Sequence, residues 1–222
     1  IVQLDVNANA IHFEFDVTVA NLGQSSIDSL TWVFWPNAYL PKESALATEF
    51  LEDQKSIMRF SNPKKLGGGQ LFWREQNNGE YLESSRNSVF EEIFNTPLRL
   101  NIGEERTLHF SYFGYLPDAL FNGFGADENS LRLSHWLPEL AANQNNPIAN
   151  SRNRESWSVP ATYSFVLTSN LPLHCFSNLK LDSDKEKQRW EISDDSAKLD
   201  ALLIFLKEAS TYNMSVDSST IK

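Results

Sequence analysis

The chain has 222 residues, 41% of them hydrophobic and 12% aromatic, which is length and apolar content enough for one sizeable core without disulfides or metals. Its 19 basic and 29 acidic side chains leave a net charge of −10, which argues against a nucleic-acid or anionic-membrane surface, because both partners need a basic face. The longest apolar run, Ala201-Leu-Leu-Ile-Phe-Leu206, falls far short of the roughly 20 residues that span a bilayer, so no membrane insertion is expected.

From the amino terminus, Ile11, Phe13, Phe15, Val17 and Val19 alternate with His12, Glu14, Asp16 and Thr18, the pattern of a strand with one buried face. Asn21-Leu-Gly23 interrupts it with turn chemistry. Leu30-Thr-Trp-Val-Phe-Trp35 reads as a strand buried on both faces and ended by Pro36-Asn37. Between Glu43 and Met58, Leu46, Phe50, Gln54 and Met58 recur at helical spacing with no Gly or Pro, predicting a short inserted helix. Gly67-Gly-Gly69 and Asn77-Asn-Gly79 bracket an expected loop and hairpin.

Alternation returns at Leu98, Leu100 and Ile102. Gly103-Glu-Glu105 then turns the chain into Leu108, Phe110 and Tyr112, with His109 and Ser111 facing the other way. A polar loop is expected from Ala141 to Glu155. Further strands are expected at Tyr163–Leu167, Leu179–Leu181, Trp190–Ile192 and Tyr212–Val216. Short strands punctuated by turns indicate an all-β fold, a multi-sheet sandwich or saddle-like domain with one short inserted helix. The single Cys175 cannot form an internal disulfide and reads as a small buried hydrophobe. The chain opens Ile1-Val-Gln and closes on a small polar tail. It is read as a single β-domain, 1–222, excised from a longer chain, with 217–222 as boundary. Cytoplasm and periplasm are both open, since the segment carries no targeting signal.

The chemistry-bearing motifs are missing from the sequence. It holds no phosphate-binding G-x-x-x-x-G-K-[ST] and no G-x-S-x-G, and Gly123-Phe-Gly125 lacks the third glycine of a dinucleotide fingerprint. None of His12, His109, His135 and His174 is followed by Glu, and no two of them stand four apart, so no metal site is expected. The acidic pairs Glu91-Glu92, Glu104-Glu105 and Asp194-Asp195 read as solvated surface, because strand neighbours point to opposite faces. No catalytic or cofactor-binding residue is assigned. Most of the six tryptophans are expected in a core or an interface. Trp73, flanked by Arg74 and Glu75, is the one expected at the surface.

Several segments occur in a telling order. Val17-Thr-Val-Ala-Asn21 precedes Ile27-Asp-Ser-Leu-Thr-Trp-Val-Phe-Trp-Pro36. Leu98-Arg-Leu-Asn-Ile-Gly-Glu-Glu-Arg-Thr-Leu-His-Phe-Ser-Tyr-Phe-Gly114 follows, then His135-Trp-Leu-Pro-Glu139 and Trp157-Ser-Val-Pro-Ala-Thr-Tyr-Ser-Phe165. From about residue 10 to 216 this order resembles the amino-terminal β-domain of aminopeptidase N-type zinc metallopeptidases. Ile102-Gly-Glu104 stands in for that family's P-G-E-like turn, Tyr112-Phe-Gly114 for its Y-x-G, and Trp136-Leu-Pro138 for its W-Y-P. The resemblance implies a non-catalytic scaffold that packs on a catalytic domain of the same parent chain and helps to wall its active site. It implies zinc for the parent and no cofactor for this segment, which lacks the family's H-E-x-x-H and G-x-M-E-N elements. The expected interface residues are Trp136, Leu137, Leu140 and Trp157. The alternative is a free-standing β-sandwich that binds glycan or peptide through exposed aromatics, Trp73 and Tyr81.

Overall fold

A computed structural model describes residues 1–39, 44–53, 57–62, 65–75, 81–83, 85–86, 92–117, 124–142, 149–150, 155–156, 159–184, 186–198 and 200–207. The chain begins with β1 (Val2–Asp5), β2 (Ala10–Ala20) and β3 (Leu30–Val33). A single turn of 3-10 helix (Trp35–Tyr39), α1 (Ala45–Glu52) and α2 (Ile57–Phe60) follow. Next come β4 (Gly68–Glu75), β5 (Leu82–Glu83), β6 (Ser85–Arg86), β7 (Ile93–Thr96) and β8 (Glu105–Tyr115). The middle holds β9 (Gly125–Ala126), β10 (Ser130–Leu133), β11 (Glu139–Leu140), β12 (Ala149–Asn150) and β13 (Glu155–Ser156). The last strands are β14 (Ala161–Ser169), β15 (His174–Ser177), β16 (Leu181–Asp184), β17 (Arg189–Lys198) and β18 (Leu203–Leu206).

They assemble into an eight-stranded sheet in the order β16-β17-β14-β1-β2-β8-β4-β5 and two four-stranded sheets, β15-β18-β10-β9 and β11-β3-β7-β6. The segment expected as a loop, 141–155, instead carries the ribbon β12-β13, which ends one residue beyond it at Ser156. The expected all-β, multi-sheet class with a short helix is the observed one. Among the described residues no helix is long and apolar enough to cross a membrane.

The period-two pattern explains the large sheet. β2 and β8 pair antiparallel along their whole length, Ala10 with Tyr115 through Ala20 with Glu105. The register places Phe13 beside Tyr112, Phe15 beside Phe110 and Val17 beside Leu108, all on the inner face. β4 adds Leu71 against Tyr112 and Trp73 against Phe110 on the same face. β3 is buried on both faces, as its unbroken apolar run requires. It lays Trp32 on Phe110 at 5.1 Å between ring centroids, edge to face. The helical spacing at 46–58 yields two short helices. Ser44 caps α1 by accepting the Ala47 N–H at 3.1 Å, and Leu46 and Met58 face the core, while Gln54 lies outside the described residues.

Several local expectations change, among them the strand expected at Leu179–Leu181, which begins only at Leu181. Leu98, Leu100 and Ile102 form no strand. Leu98 and Leu100 are buried, Leu100 makes only an isolated bridge to Ile27, and Ile102 sits in an exposed turn whose Gly103 has φ 73°. Gly68 and Gly69 begin β4 instead of a loop, because Gly69 lies across from Gly114 at a close backbone approach. A Cβ on Gly69 would fall 2.2 Å from the Phe113 carbonyl oxygen, and one on Gly114 would fall 2.1 Å from the Tyr112 hydroxyl. The expected strand at Tyr212–Val216, the turn Asn77–Gly79 and the boundary 217–222 lie outside the described residues.

Gly114→Ala therefore drives a methyl into Tyr112. The expected loss is about 1–3 kcal/mol, the usual cost of forcing side chains off their rotamers in a packed core. Urea unfolding of the variant beside wild type reads it as a lower midpoint at unchanged slope.

Candidate functional site

Two places combine polar chemistry with exposure. The first is the seam where the smaller sheets meet. β10 ends at Leu133, and His135 takes a left-handed backbone, φ 51°, that turns Trp136 into the core. Trp136 packs edge-on against Phe13 at 5.8 Å and Phe165 at 5.6 Å, and its indole N–H donates to the Ala201 carbonyl at 2.8 Å. β11 follows at once, pairing Glu139 with Val33 and Leu140 with Trp32. The carboxylate of Asp200 closes the seam from the other side. Its Oδ1 accepts the His135 backbone N–H at 2.8 Å and its Oδ2 the Ser134 hydroxyl at 2.9 Å.

His135 thus stands between two acids. Nδ1 lies 2.7 Å from Glu139 Oε1, and Nε2 lies 4.0 Å from Asp200 Oδ2. Glu139 is 95% buried at the side chain, whereas His135 and Asp200 keep 21% and 18% exposure. Tyr163 belongs to the same neighbourhood. Burial, then Glu139 and then Asp200, pushes its phenol well above the ordinary value. Among the described residues His135, Glu139 and Asp200 are the group of three ligating side chains close enough to share one ion. The sequence hides this convergence. His135 and Glu139 stand four apart, but Asp200 arrives only through the pairing of β10 with β18.

The second place is the outer face of the large sheet. Trp73 was expected there and is instead 5% exposed. Strand alternation puts Trp73 inward with Leu71 and sends Arg74 outward. Polar neighbours in sequence point to the opposite face and say nothing of a strand residue's own burial. Tyr81 is 44% exposed, with the Arg74 guanidinium 4.6 Å from its ring centre and the His109 ring at 5.9 Å. Across the sheet, His109 Nδ1 lies 2.8 Å from Asp16 Oδ1.

Phe113 and Tyr115, both over half exposed, were not singled out from the sequence. Continuing the inward set Leu108, Phe110, Tyr112 by two more residues turns both of them outward. Phe113 lines an open groove of about 470 Å³ together with Gln3, Asp5, His12, Thr168 and Asn170. The Asp5 carboxylate accepts the Ala8 N–H at 3.1 Å and the Asn170 amide at 2.7 Å, and these bonds hold its pKa below the ordinary 3.8.

Of the expected interface residues, Trp136 is 1% exposed, Leu137 and Leu140 are partly buried against the core, and Trp157 lies outside the described residues. Trp136 is covered within the chain itself, by the rings of Phe13 and Phe165 and by the Ala201 carbonyl that accepts its indole N–H. Cys175 is partly buried against the core, and burial pushes its thiol up to about 12.

No protein-family model matches the chain, and no curated protein does. Solved structures with a similar course include the M1 zinc metallopeptidase from Deinococcus radiodurans. It aligns at TM-score 0.44 and 10% identity over 91% of this chain and 40% of that one. A mutant of that enzyme bound to a Tyr-Ser-Ala substrate gives TM-score 0.44 and 11% identity over the same shares. A nutrient-binding protein from Legionella pneumophila gives TM-score 0.43 and 9% identity, over 91% of this chain and 64% of that one. The chain thus spans 40% of the metallopeptidase's length.

The two faces respond differently to truncation. Trp73→Ala opens a cavity and is expected to cost about 3–5 kcal/mol, whereas Phe113→Ala on the outer face stays within about 0.5 kcal/mol, both read by urea unfolding. Acid adds a second check. A carboxyl depressed in the folded state contributes stability above its unfolded value of 3.8 and loses it as pH falls through the folded value. Wild type should therefore lose more stability than Asp5→Asn as pH drops below 3.8, and parallel pH–denaturation curves would show that Asp5 contributes nothing.

Proposed function

We propose that this chain is the non-catalytic amino-terminal β-domain of an aminopeptidase-like metalloprotein, packing on a zinc peptidase catalytic domain and helping to wall its active site. The observation that supports this most is where the ordered motifs fall in the fold. Asn21, which ends the first motif strand, donates its side-chain amide to the carbonyls of Ser25 and Leu100, so it ties the β2 end to the turn region. Ile102-Gly-Glu104 forms that turn, held by the Gly103 N–H on the Asn21 carbonyl at 2.8 Å. Tyr112-Phe-Gly114 occupies the close glycine approach, and Trp136-Leu-Pro138 forms the seam between sheets. Each segment carries a separate structural duty, and their order along the chain follows from the fold those duties build.

Since Trp136 is internal, the surface offered to the catalytic neighbour is assigned to the outer face around Phe113 and Tyr115. A sheet face that exposes paired rings is the kind of patch a docking domain leaves when viewed alone. The test is made on the native gene product. Its intact mass is expected to exceed 25.3 kDa clearly, and a chelator is expected to abolish cleavage of aminoacyl anilides. Phe113→Ser with Tyr115→Ser should loosen the domain and expose its linker to limited proteolysis. A native product of 25.3 kDa would overturn the assignment.

The groove favours a second reading, a free-standing module for glycan or peptide. Phe113 lines the groove beside the amide and carboxylate groups of Gln3, Asp5 and Asn170, and Tyr115 meets its ring edge to face at 6.0 Å. Here Tyr81 stays a contact and Trp73 does not. On that reading Phe113→Ala abolishes ligand binding at unchanged melting temperature.

A further inference from the structure

We propose that His135, Glu139 and Asp200 bind one first-row divalent cation, with Zn²⁺ the best fit, as a clip across the seam between the smaller sheets. One ring nitrogen of His135 and one oxygen from each acid lie within 4.8 Å of one another. Zinc bonds of ~2.0–2.2 Å to imidazole and carboxylate in a tetrahedron set neighbouring ligand atoms about 3.4 Å apart, so side-chain shifts of about an ångström gather the three atoms round one ion.

His135 Nδ1 is hydrogen-bonded to Glu139 at 2.7 Å, a contact that an ion taking Glu139 as ligand replaces. At 4.0 Å, Nε2 and Asp200 Oδ2 are too far apart for a hydrogen bond, and a shift of about half an ångström brings them to the spacing of two ligands on one tetrahedral zinc. The acids are also oriented in advance. Asp200 is held by the His135 backbone N–H and the Ser134 hydroxyl, the kind of outer support that aims metal-binding carboxylates. Glu139 is fixed by its ladder pairing with Val33 and lies under the seam, while the exposed edges of His135 and Asp200 leave a way in. One imidazole with two carboxylates suits zinc, manganese, cobalt or ferrous iron better than calcium, which prefers oxygen alone, or cuprous copper, which prefers sulfur. Binding ties the β10–β11 turn to the segment entering β18. Its role is structural and does not depend on the aminopeptidase reading.

The test uses the native full-length product without a histidine tag, stripped with a chelator and titrated with Zn²⁺ by calorimetry. The comparison is His135→Asn, since Asn accepts the left-handed backbone at φ 51° while the imidazole is lost. Zinc bound elsewhere in the product cancels in the difference. Wild type should take up one more equivalent than the variant, or bind that equivalent at least about tenfold more tightly, and Asp200→Asn should reproduce the loss. Should a variant fail to fold, wild type alone carries the test. Saturating Zn²⁺ should then suppress diethylpyrocarbonate modification of His135 about tenfold relative to exposed His174, since a coordinated ring nitrogen cannot react. Equal zinc uptake and affinity in wild type and variants, or His135 modification unchanged by Zn²⁺, would overturn the site.

Discussion

The fold depends on how Phe13 is surrounded. Its ring meets Tyr112 at 5.0 Å, Phe15 at 5.2 Å, Trp136 at 5.8 Å and Phe34 at 6.2 Å. Those neighbours come from its own strand, from β8, from the end of β3 and from the turn between β10 and β11. One side chain therefore fastens the large sheet to the segments that build the smaller ones. Aromatic pairs of this kind add about 0.5–1.5 kcal/mol each beyond area burial. They also carry direction, since edge-on contacts fix the angle at which one sheet crosses another. Two indole N–H groups are satisfied at the rim of this cluster, that of Trp32 by the Thr96 hydroxyl and that of Trp136 by a main-chain carbonyl.

That arrangement explains which parts of the architecture could be read in the sequence. Alternation identifies β2, β8, β14 and β17 because each has one face against the aromatic layer and one in water. The unbroken run Leu30–Trp35 reads as doubly buried for the same reason, although the strand stops at Val33 and Trp35 opens the 3-10 helix. Where the sequence misleads, the cause is also local. Leu98 and Leu100 alternate as a strand would, yet they plug the core from a loop that has no ladder to join. Trp73 looks exposed because its chain neighbours are polar, although on a strand those neighbours report on the other face.

The sites are less legible than the fold. The histidine seam depends on Asp200, 65 residues further along the chain, which no spacing rule brings to His135. The outer-face rings follow from the same alternation that located the core, read one step further. The polar seam and the aromatic core are two sides of one turn, since the left-handed residue that sends Trp136 inward is His135 itself. The chain has committed a backbone conformation that side chains with a Cβ rarely adopt at the point where buried rings meet buried charge.

The placement of β1 has consequences for how the domain comes to exist. It lies mid-sheet, antiparallel to β2 on one side and parallel to β14 on the other, with Val2 beside Leu167. β1 is thus completed only by the distant β14, a separation that makes closure slow compared with hairpin assembly. During synthesis β1 presents an open edge until the chain beyond residue 161 has emerged, and an open edge invites pairing with other chains. Asn170 meets that hazard directly. Its side-chain oxygen accepts the Val6 N–H and its amide donates to Asp5, so the arrival of β14 latches the β1–β2 turn. The sequence interval between residues 5 and 170 is the length of chain over which this protein is exposed to misassembly.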